Sequence, residues 1–315
     1  MNAKRSIGRC GGQWVAGKGA VRCALHVAIV LAALFAAIPA AAQISVDHAD
    51  AVVARPVVNL FSHAAETSDV VSQALYGTGV QTFESRPGWF HIHTADGYTG
   101  WVAASGMKML NGGSYAPAGD ALRVTALTAN VYREPDVTTH APLLELPWES
   151  RLEPIRTTVK NNERWLEVQL VDGQTGWVQQ GDVSDDFAPV NIDRMLAIAH
   201  RFIGVTYTWG GVSSRGFDCS GFTQMLERQR GIEMPRDADV QASWSGVVPV
   251  ERKDLQPGDL LFFGSSIHKI THTGMYLGGG EFVHDTTHDH PGVQISRLDD
   301  LPWTTLLVAI RRVKP

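Results

Sequence analysis

The chain has 315 residues, 44% of them hydrophobic, and its 27 basic against 32 acidic side chains give a net charge of −5 at pH 7. That composition belongs to a globular protein rather than a disordered one. The acidic balance argues against DNA or an anionic membrane surface as a partner.

Residues 1–42 hold five bases (Lys4, Arg5, Arg9, Lys18 and Arg22) and no acid. An apolar run from Ala24 to Ile38 follows the bases, broken only by His26, and leads into Pro39-Ala40-Ala41-Ala42. A positive flank, a short apolar core and small residues at the exit predict a secretory signal cut after Ala42. The core is too short to span a bilayer comfortably. Cleavage leaves roughly 270 residues carrying about −10, enough for two or three small domains, and sends them to the periplasm or the medium. It also removes Cys10 and Cys23, so Cys219 remains as a lone thiol that cannot form an internal disulfide.

The middle of the chain repeats itself. Asp96-Gly97-Tyr98-Thr99-Gly100-Trp101-Val102 matches Asp172-Gly173-Gln174-Thr175-Gly176-Trp177-Val178, and Trp89 and Trp165 precede the two copies at the same offset. Asn59-Leu60-Phe61 resembles Asn130-Val131-Tyr132 further upstream. Leu166, Val168 and Leu170 alternate with polar residues, the period of a half-buried strand. Asp-Gly then marks a tight hairpin, because glycine reaches positive φ at little cost. Short strands and glycine turns predict two small β-barrels, at 43–112 and 119–186, with Gly112 to Gly119 as the linker between them.

From Asn191 the texture changes. Leu196, Ala199, Phe202 and Ile203 sit at helical spacing behind Asn191 or Asp193 as cap, and Gly204 ends the helix. A second helix starts at Cys219, with Phe222, Met225 and Leu226 on one face and Gly231 at its end; a short third, capped by Asp237, runs to Trp244. Strands follow at 260–263, 272–277, 281–284, 293–295 and 306–311. Helices first and an antiparallel sheet after predict an α+β domain over 190–315.

Cys219 in the first turn of a helix faces unpaired N–H groups and the positive end of the dipole, which favour thiolate. A nucleophile also needs a base. His63, His91, His93, His140, His200, His268, His288 and His290 read as solvated surface histidines. His272 and His284 lie in two strand-like runs joined by Gly278-Gly279-Gly280. If Leu277 pairs with Glu281, Gly274 faces His284 and His272 is its diagonal neighbour, within reach of a second imidazole. One ring then takes the thiol proton and the other orients it. A competing reading gathers His284, Asp285, His288, Asp289 and His290 as a zinc or copper cluster, but that run has no helix to fix its spacing.

Several motifs occur in order: Tyr207-Thr208-Trp209-Gly210-Gly211, Gly216-Phe217-Asp218-Cys219-Ser220-Gly221-Phe222, Pro235-Arg236-Asp237-Ala238, Leu255-Gln256-Pro257-Gly258-Asp259-Leu260-Leu261-Phe262-Phe263, Thr271-His272-Thr273-Gly274-Met275-Tyr276-Leu277-Gly278 and Phe282-Val283-His284. Together they resemble the NlpC-type cysteine peptidases, and the repeats resemble bacterial SH3-like domains. The resemblance implies a papain-like α+β fold acting on peptidoglycan stem peptides, with Cys219 as nucleophile, His272 as base, His284 as orienting residue and Tyr207 near the oxyanion. Two SH3-like units ahead of such a domain resemble the γ-D-glutamyl-L-diamino acid endopeptidases, which need a free N-terminal L-alanine. On that resemblance Asp218 and Ser220 hold the α-ammonium, Tyr98 closes the pocket from the first barrel, and Arg236 and Asp237 line it. No cofactor and no metal are expected, and the partners are peptidoglycan-derived peptides. The family more often has serine or threonine where Ala238 stands, and a small residue where Asp285 stands. Cleavage of intact cross-linked wall, wall binding without catalysis, and acyl transfer through the same thioester remain as alternatives.

Overall fold

The computed structural model describes residues 49–117, 119–155 and 164–314; the expected signal segment, 1–42, lies outside them. Seven strands form the first sheet: β1 (Ala51–Val53), β2 (Val57–Phe61), β3 (Val70–Leu75), β4 (Gly79–Arg86), β5 (Trp89–His93), β6 (Thr99–Ala103) and β7 (Met107–Met109), in the order β3-β2-β6-β5-β4-β1-β7. Seven more form the second: β8 (Leu122–Val124), β9 (Thr128–Tyr132), β10 (Leu144–Pro147), β11 (Arg151–Pro154), β12 (Trp165–Gln169), β13 (Thr175–Gln179) and β14 (Val183–Ser184), in the order β10-β9-β13-β12-β11-β8-β14. Strand for strand, the second order repeats the first.

The sequence repeat is carried by equivalent contacts. Phe61 meets Trp89 edge-on at 5.7 Å, and Tyr132 meets Trp165 edge-on at 5.7 Å. Gly97 and Gly173, at φ +81° and +95°, turn the two matching hairpins where a side chain would be strained.

The two sheets are not independent beads. Tyr76, at the end of β3, is buried in the core of the second sheet, and its hydroxyl accepts the Val171 N–H at 2.8 Å. Tyr115, inside the Gly112–Gly119 stretch, is buried beside it. That stretch therefore holds the units together as well as connecting them, because its one aromatic residue had apolar surface to fill.

The C-terminal part opens with α1 (Ile192–Arg201), capped by Asn191, whose Oδ1 accepts the Arg194 N–H at 2.9 Å. A two-stranded ribbon, β15 (Val212–Ser213) and β16 (Gly216–Phe217), leads into α2 (Cys219–Gln229) and then α3 (Ala238–Ser243). Six antiparallel strands follow: β17 (Val247–Pro249), β18 (Leu260–Ser266), β19 (Lys269–Gly278), β20 (Glu281–Thr286), β21 (Gly292–Arg297) and, after the short α4 (Trp303–Leu306), β22 (Leu307–Val313). Their order is β17-β22-β18-β19-β20-β21. Met195, Phe202, Phe222, Met225 and Leu226 pack against Leu260, Phe262, Met275 and Val283 on one face of this sheet. Leu261, Phe263, Phe282, Trp303 and Ile310 form a second core on the other. Trp148, from the second sheet, inserts into the first of these cores and meets Phe202 edge-on at 5.4 Å.

Four expectations need correction. Ile203 is 48% exposed, because α1 ends at Arg201 and its apolar stripe stops at Phe202. Asp237 stands at the N-cap position of α3 but makes no capping hydrogen bond, since its carboxylate is taken elsewhere. His91 and His93 are half-buried rather than solvated, and His91 lies flat on Trp101 at 4.7 Å. Glu281 pairs with Gly278, not Leu277, through a bulge in the turn. Beyond the bulge Tyr276 pairs with Phe282 and Met275 with Val283, so the register expected for the histidines is kept.

Candidate active site

Cys219 begins α2, and the cap that fixes this helix start is Asp218, whose Oδ1 accepts the Gly221 N–H at 2.7 Å. Asp218 is also the centre of a buried polar cluster. Its Oδ1 receives Arg236 Nη1 at 2.9 Å and its Oδ2 receives Arg236 Nη2 and, at 3.0 Å, the Gly210 N–H. Arg236 Nη1 also reaches Ser220 Oγ at 2.9 Å, and its Nε reaches Ser72 Oγ, from β3, at 3.2 Å. A buried carboxylate with a two-pronged guanidinium and further N–H donors is the arrangement that makes burial of both charges tolerable. Its consequence is that the Asp218 charge is already balanced.

Asp237 is half-buried and carries the next negative charge. Its carboxylate accepts the Tyr98 hydroxyl at 3.2 and 3.4 Å, from the hairpin tip of the first sheet. Burial raises the Asp237 carboxyl above its ordinary range, while Arg236 pulls the other way. Burial, then the Asp237 charge, pushes the Tyr98 phenol up to about 12. Tyr98, Arg236, Asp237, Asp218 and Ser220 thus come together.

On the sheet, His272 Nε2 and His284 Nδ1 are 2.8 Å apart, and His284 Nε2 is 3.0 Å from Ser296 Oγ. Gly274 makes this possible: a Cβ there would stand 2.9 Å from the Phe282 ring and 3.0 Å from the His284 Cβ. Trp303 covers the pair, its ring 5.2 Å from His272 and 4.7 Å from His284, with Phe263 and Phe282 closing the sides. Burial in this aromatic box lowers His272 to about 3 and holds His284 well below its ordinary value, with the His272 and His288 charges adding to the effect on His284. Burial thus favours the neutral form of both rings.

The thiol does not match the expectation of a ready thiolate. Cys219 is buried, and burial, then the Asp218 charge, pushes it up to about 12. The backbone N–H groups of Thr273 and Ser220 oppose this without overcoming it. The Thr273 N–H sets the sulfur beside the strand residue that follows His272, yet among the described residues no hydrogen bond joins Cys219 to His272. Burial, then the Cys219 charge, raises the Tyr207 phenol, which puts Tyr207 close enough to the sulfur to feel it.

The residues of the competing metal reading do not converge. His284 and Asp285 are fully buried, whereas His288 and Asp289 pair with each other at 3.0 Å on an exposed turn. Among the described residues no three His, Cys, Asp or Glu side chains group to hold a metal ion. Ser72, Ser296 and Trp303 have no sequence pattern of their own, and each reaches these residues only through folding.

Residues 204–312 match the NlpC/P60 family, and 56–108 match the bacterial SH3 domain. A Bacillus cereus γ-D-glutamyl-L-lysine dipeptidyl-peptidase is 30% identical over 259 residues, 78% of this chain and 75% of that protein. This chain belongs to the NlpC/P60 family. Members are cysteine peptidases, and this NlpC/P60 chain joins the peptidase domain to SH3-like β structure at its N-terminal side. A Bacillus subtilis protein of the same name is 40% identical over 113 residues, 35% of this chain and 37% of its own length. The crystal structure of a Bacillus cereus NlpC/P60 protein superposes with a TM-score of 0.70 at 24% identity, over 84% of this chain and 99% of that one, which establishes a shared fold.

Proposed function

We propose that this NlpC/P60 peptidase hydrolyses the amide bond between γ-D-glutamate and an L-diamino acid in peptidoglycan stem peptides that carry a free N-terminal L-alanine. The contact between Tyr98 and Asp237 carries this reading. Arg236 is engaged by Asp218 and Ser220, which leaves the neighbouring Asp237 carboxylate with the Tyr98 hydroxyl as its side-chain hydrogen-bond partner. A carboxylate and hydroxyls grouped beside the start of the Cys219 helix suit an ammonium. The names of the two Bacillus relatives agree with it.

Cys219 is the nucleophile and His272 the base. For His272 to accept the thiol proton on Nδ1, its Nε2–H must donate to His284 Nδ1, and His284 Nε2–H then donates to Ser296 Oγ. His284 is therefore the orienting residue. Because burial disfavours charge on both the thiol and the imidazole, the proton moves as sulfur attacks the γ-carbonyl carbon, by general-base catalysis rather than from a preformed ion pair. The N-terminal N–H groups of α2, with Tyr207, stabilise the oxyanion. Collapse expels the diamino acid amine, which takes the proton from His272, and water then hydrolyses the thioester. Asp218 and Ser220 hold the α-ammonium together with Asp237 and Tyr98, Arg236 fixes Asp218, and the Tyr98 hydroxyl fixes Asp237.

The architecture that goes with this function is two SH3-like barrels, 43–112 and 119–186, and a papain-like α+β domain, 190–315. The matching strand orders support the second barrel. With residues 1–42 acting as a signal, the enzyme works in the periplasm or the medium. The test is cleavage of L-Ala-γ-D-Glu-diaminopimelate and of its N-acetyl form, followed by mass spectrometry. Only the free-amine peptide is expected to be cut; equal cleavage of both sinks the reading and favours action on intact wall.

A further inference from the structure

Gln224 lies one helical turn beyond Ser220 on the same face of α2 and is 1% exposed. An amide buried that deeply is costly unless it is hydrogen-bonded. Its Nε2 donates to two acceptors from distant segments, Asp96 Oδ2 at 2.9 Å and the Met234 carbonyl at 2.8 Å. Asp96 stands two residues before Tyr98 in one hairpin turn, and Met234 stands three residues before Asp237. One amide on the Cys219 helix therefore bridges the two segments that meet in the Tyr98–Asp237 hydrogen bond. The second repeat shows that the hairpin does not need this bridge for itself. Asp172 takes the place of Asp96 there, and its carboxylate stays within its own turn, accepting the Gln174 N–H at 2.9 Å and the Gln174 side-chain amide at 3.1 Å. Asp96 keeps a local bond through Oδ1, which accepts the Thr94 hydroxyl, and turns Oδ2 to the helix. The Thr94 N–H donates to the Tyr98 carbonyl and the Gly97 N–H to the Thr94 carbonyl, both at 2.9 Å, so the turn that holds Asp96 carries Tyr98 with it.

We propose, on the reading that Tyr98 and Asp237 receive the substrate's α-ammonium, that Gln224 is a positioning residue for selection of the free amine. It sets the separation of the Tyr98 hydroxyl from the Asp237 carboxylate, and with it the fit of an ammonium between them. Because it acts through these two residues, it governs KM rather than the chemical step at Cys219.

Gln224→Met keeps the length of the side chain and removes both donors. With L-Ala-γ-D-Glu-diaminopimelate as substrate, KM is expected to rise roughly tenfold while kcat stays within about twofold. Asp96→Ala, on a half-buried turn, gives a similar rise without touching the helix, and carries the test if Gln224→Met folds poorly. Adding Asp96→Ala to Gln224→Met changes KM little further, and either change raises KM less in a Tyr98→Phe background than in wild type, because all act at one contact. A purely structural role would lower the fraction of active enzyme, and so kcat, and leave KM alone. An unchanged KM in either single variant, a fall in kcat alone, or an undiminished effect in the Tyr98→Phe background overturns the proposal while the ammonium pocket stands. Equal cleavage of the free and N-acetyl peptides by the wild type overturns the pocket, and the role of Gln224 with it.

Discussion

The Tyr98 hydroxyl, at a hairpin tip of the N-terminal sheet, donates to the Asp237 carboxylate at the entrance to α3, 3.2 Å away. The end of the proposed substrate pocket is therefore built by two parts of the chain. Tyr98→Phe removes one hydrogen bond to a charged group, so KM for the free-amine tripeptide rises roughly tenfold while kcat stays within about twofold. Steady-state kinetics checks the split; an unchanged KM contradicts the placing of the ammonium there.

The Arg236–Asp218 pair is almost fully buried. Removing one partner strands the other charge. Arg236→Met is expected to cost about 3–5 kcal/mol of folding stability, and Arg236→Met with Asp218→Asn less than the sum of the two single changes. Urea unfolding of the two single variants and the double variant measures both.

Asp285 follows His284 on β20, is fully buried, and has no side-chain hydrogen-bond partner among the described residues. Burial, then the Asp218 charge, raises it to about 8. A carboxyl whose folded value lies above its unfolded value contributes fully below the unfolded value of about 3.9 and loses that contribution as pH rises through the folded one. Asp285→Asn should therefore become progressively more stable than wild type between about pH 4 and 8, with the gap level above that. Thermal melts at pH 5, 7 and 9 test the sign; a gap that narrows with pH contradicts it.

The buried Cys219 thiol, raised to about 12, predicts slow alkylation at neutral pH. The rate with iodoacetamide should climb about tenfold per pH unit from 7 to 10, because only the thiolate reacts. A rate that is already high and flat from pH 6 to 9 would mean a resting thiolate–imidazolium pair and would replace the general-base step.

Much of this arrangement was legible in the sequence because it depends on local pattern. The paired Trp, Gly and Asp-Gly positions specify the repeated strand order, and strand alternation with an assumed hairpin register brings His272 to His284 even though a bulge moves Glu281 opposite Gly278. The motif around Cys219 predicts Asp218 as a cap, and it is bonded as one. The rest depends on contacts between distant segments. Ser72 reaches Arg236, Trp148 reaches Phe202 and Trp303 roofs the histidines, none with a periodic signature. The thiol follows the same division: a helix N-terminus is visible locally, whereas the burial that outweighs it is a property of the folded chain.

The most direct test of Cys219 as the nucleophile is intact-protein and peptide mass spectrometry of enzyme quenched during turnover of L-Ala-γ-D-Glu-diaminopimelate. An L-Ala-γ-D-Glu acyl adduct is expected on the peptide containing Cys219, absent from Cys219→Ala, which should not turn over. Turnover by Cys219→Ala at the wild-type rate, or an adduct mapped to another residue, would contradict it.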